Sequence, residues 1–383
     1  MKHTTNLVNE FNLIAVSNSA IKFIRNRGIQ FTRILMIAIL LMNFTAVFSS
    51  CNKNEKEVLD AYKLRTQGKV DEAKAMLLSI LEEDSTIAMA HFELARTLNY
   101  MNMMGSDEAT NALKQAKKLE PDNVIYAYGY ARNCFLEAYK AMQMGGGDVN
   151  KWITKTCDEF KNVLDLESGY PEALMYLVEI YGMLPENMGG DKAKAEEYTR
   201  QLESTDKFFG AKARLVMMPE GTDMVEYWNK YIAENGEDCK SLKELGVASL
   251  FADDIDGAKK SFEKAMAINK SQNIRILDLA RFHMMKVMQN QDAAGEELPK
   301  AKEYVEQYLN SKPEPIPPLH AYALGMMVKI KMFSGNQEEG EKLMEEAKSL
   351  DPYFSRAFGI PSLATFEPPN KPNHHFTSFF SPY

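Results

Sequence analysis

Residues 242–270 read LKELGVASLFADDIDGAKKSFEKAMAINK, and this segment contains two helical patterns separated by a short polar turn. On both sides of the turn apolar residues recur at i, i+3, i+4 and i+7, the spacing of one face of an α-helix. Asp253-Asp254-Ile255-Asp256 lies between the two patterns and provides turn and helix-capping residues. The segment therefore predicts a helix-turn-helix hairpin.

The same hairpin pattern recurs along the chain. The position in the middle of the second helix is small in most copies, because a small residue lets two packed helices approach closely. It is occupied by Ala73, Ala109, Thr156, Ala195, Met224, Ala258, Ala301 and Gly340, at intervals of 36, 47, 39, 29, 34, 43 and 39 residues. The longer intervals predict insertions in the turns 137–151, 183–191 and 286–297, all on one edge of the array.

This pattern resembles the tetratricopeptide repeat (TPR), a helix-turn-helix unit of about 34 residues. The residues that carry the resemblance in the quoted segment are Leu242, Leu245, Gly246, Ala258, Phe262 and Ala265. The resemblance covers residues 56–352 and is weakest at 206–236. It implies an all-α fold, a right-handed superhelical solenoid of about eight TPR-like helix-turn-helix hairpins.

The chain ends differ from the repeat array and suggest a division into five parts. Residues 1–50 form a leader, 51–55 a linker and 56–352 the helical array. Residues 353–366 are predicted to form a C-terminal cap over the last hairpin. Residues 367–383 contain Pro368, Pro369, Pro372 and Pro382 and are predicted to form an extended tail, because proline interrupts helices.

The leader has the features of a targeting signal. Lys22, Arg25, Arg27 and Arg33 precede an apolar run at 34–47, which has the length of a secretory h-region and is short for a membrane span. The run is followed by Phe48-Ser49-Ser50-Cys51, and the whole resembles a bacterial lipoprotein signal peptide. The resemblance implies that Cys51 becomes the mature N-terminus and carries lipid, in the bacterial cell envelope at the outer membrane, facing the periplasm. An uncleaved signal anchor is the alternative.

Composition excludes several classes of protein. Of the 383 residues 45% are hydrophobic and 26% charged, values typical of a folded chain rather than a disordered one. The formal net charge is −8, and it becomes −12 without residues 1–50, which hold five basic residues and one acidic residue. An acidic chain without a basic cluster predicts no nucleic-acid partner, because phosphates need Lys and Arg to neutralise them.

Catalytic and metal-binding motifs are missing from the sequence. It contains no His-Glu-x-x-His, Gly-x-Ser-x-Gly or Cys-x-x-Cys, and its six histidines are scattered. We therefore predict no catalytic residues, no cofactor and no metal site, and a protein that is not an enzyme. The adjacent His374 and His375 suggest a metal ligand pair or a plain tail. The 24 methionines suggest either core filling or a soft-metal site for copper(I).

Cys134 and Cys157 fall on the two helices of one predicted hairpin. Two interpretations stay open for them. In an oxidising compartment they are candidates for a disulfide, and as core residues they are buried free thiols.

The TPR resemblance implies a concave surface lined by the first helix of each hairpin. The corresponding positions, projected on this sequence, are Phe92, Arg96, Asn99, Tyr100, Tyr128, Arg132, Phe135 and Arg281. Arginine next to aromatic residues suggests a groove for an extended peptide or an anionic group. In the alternative interpretation each arginine pairs with an acidic side chain on the adjacent helix.

Two functional hypotheses follow. The first is a non-catalytic, lipid-anchored TPR scaffold that binds an envelope protein or peptide in its concave groove, with the membrane contacted through the N-terminal lipid. The alternative is an accessory subunit of a solute transport system that binds a small anionic or sugar ligand.

Overall fold

The computed structural model describes residues 54–102, 105–144 and 148–354. The chain divides into two compact units, Met1–Lys56 and Glu57–Tyr383, and the second contains nearly all of the described residues. The predictions for the leader 1–50, for Cys51 and for the tail 367–383 lie outside the described residues. The same holds for the cap 353–366 beyond its first two residues.

Within these ranges the structure contains sixteen α-helices and no β-strand, which confirms the predicted all-α repeat solenoid. The helices form eight consecutive hairpins, each with an odd-numbered first helix and an even-numbered second helix. Their bounds are α1 (54–66), α2 (Val70–Glu83), α3 (Ala88–Met101), α4 (Asp107–Leu119), α5 (Val124–Met144), α6 (Val149–Leu166), α7 (Pro171–Met183), α8 (Lys192–Thr205), α9 (Lys207–Val216), α10 (Met224–Asn235), α11 (Cys239–Phe251), α12 (Ile255–Ile268), α13 (Ile276–Gln289), α14 (Ala294–Leu309), α15 (Pro317–Phe333) and α16 (Gln337–Leu350).

Polar residues in the turns define where the second helices begin. The Asp254 side chain accepts a hydrogen bond from the backbone N–H of Gly257 at 2.9 Å and caps α12. Asp191 caps α8 in the same way by accepting from the N–H groups of Ala193 and Lys194. These caps satisfy backbone donors that the first turn of a helix leaves unpaired, so the turns at 253–256 and 189–191 act as predicted.

First and second helices differ in burial. Ten of the thirteen residues of α7 are buried, whereas α16 buries only Gly340 and Ala347. The first helices therefore pack on several sides, and the second helices expose most of their surface. The two helices of the sixth hairpin meet closely where Gly246 faces the ring of Phe262, a contact that leaves no room for a β-carbon. This is the small-against-large packing that the sequence pattern predicts.

The insertions within hairpins are accommodated in two ways. The third hairpin lengthens its first helix, so α5 has 21 residues and ends at Met144. The turns of the fourth and seventh hairpins each contain a short 3-10 helix, at Glu186–Met188 and Gln291–Ala293. All three insertions therefore lie between a first and a second helix.

The fifth hairpin departs most from the pattern. Its first helix, α9, packs against α7 and α8, and its second helix, α10, packs against α11. The two helices of this hairpin meet through a ring contact of Trp228 with Phe208, whose centroids are 5.8 Å apart. The Tyr227 hydroxyl also donates a hydrogen bond to the Ala211 carbonyl at 2.7 Å. This region corresponds to the weakest part of the TPR resemblance.

The two ends of the array are in contact. Tyr100, at the end of α3, donates a hydrogen bond to Asp351, which follows α16. The Tyr353 hydroxyl donates to Asp71 at 2.7 Å, and the backbone at Gly68 lies against the carbonyl of Leu350. The array thus completes one superhelical turn, and the end of its last hairpin packs on its first two hairpins. We call this contact the seam.

The cysteines of the described residues are free thiols. Cys134 packs in the apolar cluster of the first three hairpins, whereas Cys157 belongs to the cluster that extends from the third hairpin to α9. Burial raises the pKa of the Cys134 thiol to about 11. The structure therefore agrees with the second interpretation, in which Cys134 and Cys157 are buried free thiols.

The methionines are divided between core and surface. Met326 and Met327 on α15 are buried, as expected for core filling, whereas Met288 at the end of α13 is 74% exposed. Core filling therefore accounts for only part of the methionine content.

Candidate binding surface on the first helices

Polar side chains link successive first helices to one another. We call this set of contacts the polar ladder. Its members join α1 to α3, α3 to α5, α5 to α7, α9 to α11 and α13 to α15. Each rung therefore connects neighbouring hairpins on the first-helix side of the array.

The first rung is a buried ionic triad. The Arg65 Nε atom donates to the Glu93 carboxylate at 2.7 Å, and both side chains are fully buried. The second oxygen of Glu93 lies 3.2 Å from Arg96 Nη1 on the same helix. Arg96 retains 12% of its side-chain surface and lies over the ring of Phe92. Glu93 thus holds two arginines, of which only Arg96 has contact with solvent.

The next two rungs use amides and tyrosines. Asn99 donates to the side-chain oxygen of Asn133 at 3.1 Å and so joins α3 to α5. Arg132 on α5 hydrogen bonds to Tyr176 on α7 and lies over the ring of Tyr128 at 5.9 Å. Burial raises the pKa of Tyr128 and of Tyr176, so both phenols stay neutral next to the guanidinium.

Two lysines hold one glutamate on the ladder between α9 and α11. The Nζ atoms of Lys212 and Lys243 lie 2.9 and 3.0 Å from the same oxygen of Glu244. Burial favours the neutral carboxyl, but the two ammonium groups outweigh it and lower the pKa of Glu244 to about 2. Burial also lowers the pKa of Lys243, and the positive charges of Lys212 and Arg275 lower it further although Glu244 opposes the shift.

The last rung continues this ionic surface onto α13 and α15. Arg275 Nη1 lies 2.7 Å from Asp278, and Arg281 pairs with the other oxygen of the same carboxylate. Arg281 Nε also donates to the hydroxyl of Tyr322 at 2.8 Å. Within the described residues the Arg275 Nε and Arg281 Nη2 atoms have no hydrogen-bond partner. Asp278 is therefore shared by two arginines that keep unused donors.

The seam lies next to the first rung and contains a buried acid. Burial raises the pKa of Asp351, although it accepts hydrogen bonds from Tyr100 and from the N–H of Tyr353. Burial also raises the pKa of Tyr100, and the negative charge of Asp351 adds to that shift. The charge of Arg65 acts on Tyr100 in the opposite direction.

The eight predicted groove residues occupy three different environments. The rings of Phe92, Tyr128 and Phe135 are buried between helices and offer no face to a ligand. Tyr100 is part of the seam. The remaining four are partly exposed members of the polar ladder, namely Arg96, Asn99, Arg132 and Arg281.

Two of the three recurring arginines have an acidic partner on their own helix rather than on the adjacent helix, where the alternative interpretation expects it. Arg96 and Arg281 pair with an acidic residue three positions earlier on their own helix, and Glu93 in turn binds Arg65 on the adjacent helix. The arginines are therefore held in place structurally and also keep part of their surface exposed. That these residues form a ligand groove stays a prediction.

Several ladder residues were not predicted from the sequence. Lys243 occupies a first-helix position that corresponds to Phe92, so the same projection identifies it. Lys212 lies on the fifth hairpin, whose repeat pattern is too degenerate to align. Glu93 and Asp278 lie three residues before a predicted arginine, and this i−3 acid is the signal for an ion pair on one helix face.

The described ranges contain no candidate metal-binding group and no candidate membrane-spanning helix. No group of three or more His, Cys, Asp or Glu side chains in these residues is arranged to hold a metal ion. No helix of residues 54–354, where described, has the length and apolar character needed to cross a bilayer.

Comparison with known proteins gives one relative by sequence. The chain is 24% identical over 243 residues to the TPR repeat-containing protein MJ1428 of Methanocaldococcus jannaschii. The match covers 60% of this chain and 41% of that protein, so the chain spans about two fifths of its relative's length. No family model matches the chain.

Solved structures of TPR proteins are also similar. A TPR protein from Thermus thermophilus, TTC0263, aligns with 60% of this chain and 99% of its own at 12% identity and a TM-score of 0.37. A tetratricopeptide repeat protein from Parabacteroides merdae aligns with 78% and 93% at 12% identity and a TM-score of 0.34. Likenesses at this level carry no information about a ligand. Together with the hairpin pattern, the archaeal relative supports the interpretation of the chain as a TPR protein.

Proposed function

We propose that this protein is a non-catalytic TPR scaffold that binds a segment of another protein along the polar ladder. The observation that supports this function is the ladder itself, which runs along successive first helices. Its partly exposed donors include Arg96 and Asn99 on α3, Arg132 on α5 and Arg281 on α13, with Lys212 and Lys243 on the first helices between them. A row of donors spaced by hairpins suits an extended chain better than a compact ligand, because each hairpin adds about one helix-packing distance, roughly 10 Å.

We further propose that the scaffold is anchored in the bacterial cell envelope by lipid on Cys51. The supporting observation is the order of basic residues, apolar run, small residues and cysteine at the N-terminus. Mass spectrometry of the membrane fraction tests this anchor. A lipidated N-terminal fragment that begins at Cys51 supports it, and an intact N-terminus in membranes contradicts it. The solute-transport alternative stays a prediction.

Site-specific photo-crosslinking in cells tests the binding function. A photoreactive amino acid at Arg96 on α3 is expected to capture a discrete partner protein. The matched control places the same group at Lys114, an exposed residue on the second helix of the same hairpin. Capture of one partner from Arg96 and not from Lys114 supports binding on the first-helix side. Equal capture from both positions contradicts it.

A further inference from the structure

Cations outnumber carboxylates in the second half of the polar ladder. Between α9 and α13 it contains four cations and two carboxylates, which are Lys212, Lys243, Arg275 and Arg281 against Glu244 and Asp278. The first half of the ladder contains Arg65, Arg96 and Arg132 with the carboxylate of Glu93, and the buried Asp351 of the seam lies next to its first rung. The whole chain has a formal net charge of −8, so a local surplus of cations on α9 to α13 runs against its overall charge.

The close approach of these cations is electrostatically unfavourable in itself. Two ammonium groups share one oxygen of Glu244, and two guanidinium groups share Asp278. Like charges this close repel one another. Burial is the main cause that lowers the pKa of Lys243, and the charges of Lys212 and Arg275 add to the shift while Glu244 opposes it. An added negative charge therefore stabilises the cluster more than it stabilises an isolated surface lysine.

The cluster remains open to a ligand. Lys243 keeps 30% of its side-chain surface and Arg281 keeps 17%, although protein surrounds both. Arg275 Nε and Arg281 Nη2 have no acceptor among the described residues, but these two atoms are themselves buried, so a ligand meets only the exposed parts of the side chains. A carboxylate that binds at the exposed part of Lys243 or Arg281 gains a charge-assisted interaction with a cation that is already positioned.

The spacing of the cations indicates the form of the ligand. They are distributed over α9, α11 and α13, with Arg275 immediately before α13, and packed helices in general lie about 8–10 Å apart. An extended peptide advances about 3.3 Å per residue, so one helix spacing corresponds to about three residues. A single phosphate is too small to reach neighbouring helices, and a nucleic acid brings many more charges than the surplus can neutralise.

We infer that the ladder on α9, α11 and α13 binds an extended acidic segment of the partner protein, with carboxylates about three residues apart. This inference rests on the proposed function and specifies the chemistry of the partner. The segment lies along the first helices, with one carboxylate near Lys243 and another near Arg275 and Arg281. Glu244 and Asp278 hold the cations in place, and the surplus of positive charge disfavours a basic segment.

Fluorescence anisotropy with the full chain tests the inference. The probe is a labelled Gly/Ser peptide with glutamate at every third position, and its control carries glutamine at the same positions. The glutamate peptide is expected to bind at least about tenfold more tightly, the effect of one charge-assisted hydrogen bond. Binding is expected to weaken as salt is raised. Equal binding of both peptides overturns the inference.

Variants locate the site. Lys243→Gln is expected to weaken binding of the glutamate peptide about tenfold, whereas Lys259→Gln, on the exposed second helix of the same hairpin, leaves it unchanged. If Lys243→Gln fails to fold, Arg275→Gln replaces it, because Asp278 then keeps Arg281 as a partner. Equal weakening by Lys243→Gln and Lys259→Gln overturns the site.

Competition and crosslinking separate the remaining outcomes. Inorganic phosphate at low millimolar concentration is expected to leave the peptide bound; stoichiometric displacement by phosphate identifies a small-anion site and overturns the inference. Crosslinking from Arg96 is repeated in the Lys243→Gln chain. Undiminished partner capture there contradicts the acidic-segment site while the proposed binding function stands. Absence of capture in the wild-type chain contradicts the proposed function itself.

Discussion

The seam leads to a prediction with a built-in control. Gly68 and Gly335 occupy the same place in the turns of the first and the last hairpin, with φ of +80° and +79°. At Gly68 a β-carbon collides with the backbone carbonyl of Leu350, whereas at Gly335 it meets no atom within 4 Å. Replacing each glycine with alanine therefore imposes the same backbone strain, and only Gly68→Ala also disrupts the seam.

The magnitudes follow from these contacts. Alanine in the left-handed region costs about 1 kcal/mol in both turns. The collision at Gly68 adds the loss of the hydrogen bond from Tyr100 to Asp351, and a bond to a charged group is worth about 1.5–3 kcal/mol. Gly335→Ala is thus expected to lower the free energy of unfolding by about 1 kcal/mol, and Gly68→Ala by about 3 kcal/mol or more.

Urea denaturation and hydrogen exchange measure the two effects. Denaturation gives the loss of stability of each variant, and hydrogen exchange shows where it occurs. Gly68→Ala is expected to increase amide exchange at both ends of the array, in the turn at 67–69 and in residues 351–354. Gly335→Ala is expected to affect the last hairpin alone. Equal destabilisation by the two substitutions, with no coupled exchange at the two ends, would refute the seam.

Two further predictions concern buried charges. Arg65→Met is expected to lower the free energy of unfolding by about 3 kcal/mol, because the buried Glu93 loses its fully buried partner. Arg96→Met is expected to lower it by less than about 1 kcal/mol, because Arg65 still pairs with Glu93. Urea denaturation that ranks the two variants in the reverse order contradicts this assignment. The folded-state pKa of Asp351 lies above its unfolded value, so its contribution is greatest below about pH 4 and is lost as the pH rises through the folded pKa. The free energy of unfolding of the wild type, relative to that of Asp351→Asn, is thus expected to fall as the pH rises from 4, as measured by urea denaturation of both proteins. A rise of this difference with pH would exclude a carboxylate that is destabilised by burial.

The hairpins themselves were predictable from the sequence. Apolar spacing sets each helix, and aspartates such as Asp191 and Asp254 cap the helices that follow the turns. The contact of Gly246 with Phe262 follows from the small and large residues of the repeat pattern. These features depend on residues close to one another in the chain, which is why a local pattern predicts them.

The seam was not predictable in the same way. It joins residues that are 251 and 282 positions apart, and it depends on the summed rotation of eight hairpins. A small change in the packing of one hairpin displaces the last one by many ångströms. A local sequence pattern does not predict the total rotation of the array. The irregular packing of α9 and α10 in the fifth hairpin makes this rotation still harder to infer.

The candidate surface was predicted in part. The recurring arginines indicated the first-helix side, and Arg96, Arg132 and Arg281 all lie on the polar ladder. Phe92 and Tyr128 fall at positions of the same projection and are nevertheless buried, because the first helices pack against neighbours on both sides. The projection therefore identifies the side of the helix. It does not predict which residues on that side are buried, because the neighbouring hairpin determines their burial.

The distance between the ends of the array tests the closed turn most directly. Spin labels are attached at Lys69→Cys and Ser349→Cys, two exposed sites next to Gly68 and Leu350, in a chain whose native cysteines are replaced by alanine. Because adjacent Cα atoms lie about 3.8 Å apart, a closed turn predicts a single interlabel distance below about 25 Å by pulsed electron spin resonance. An open array separates its ends by several helix-packing spacings, so a distribution centred above about 40 Å would contradict the closed turn.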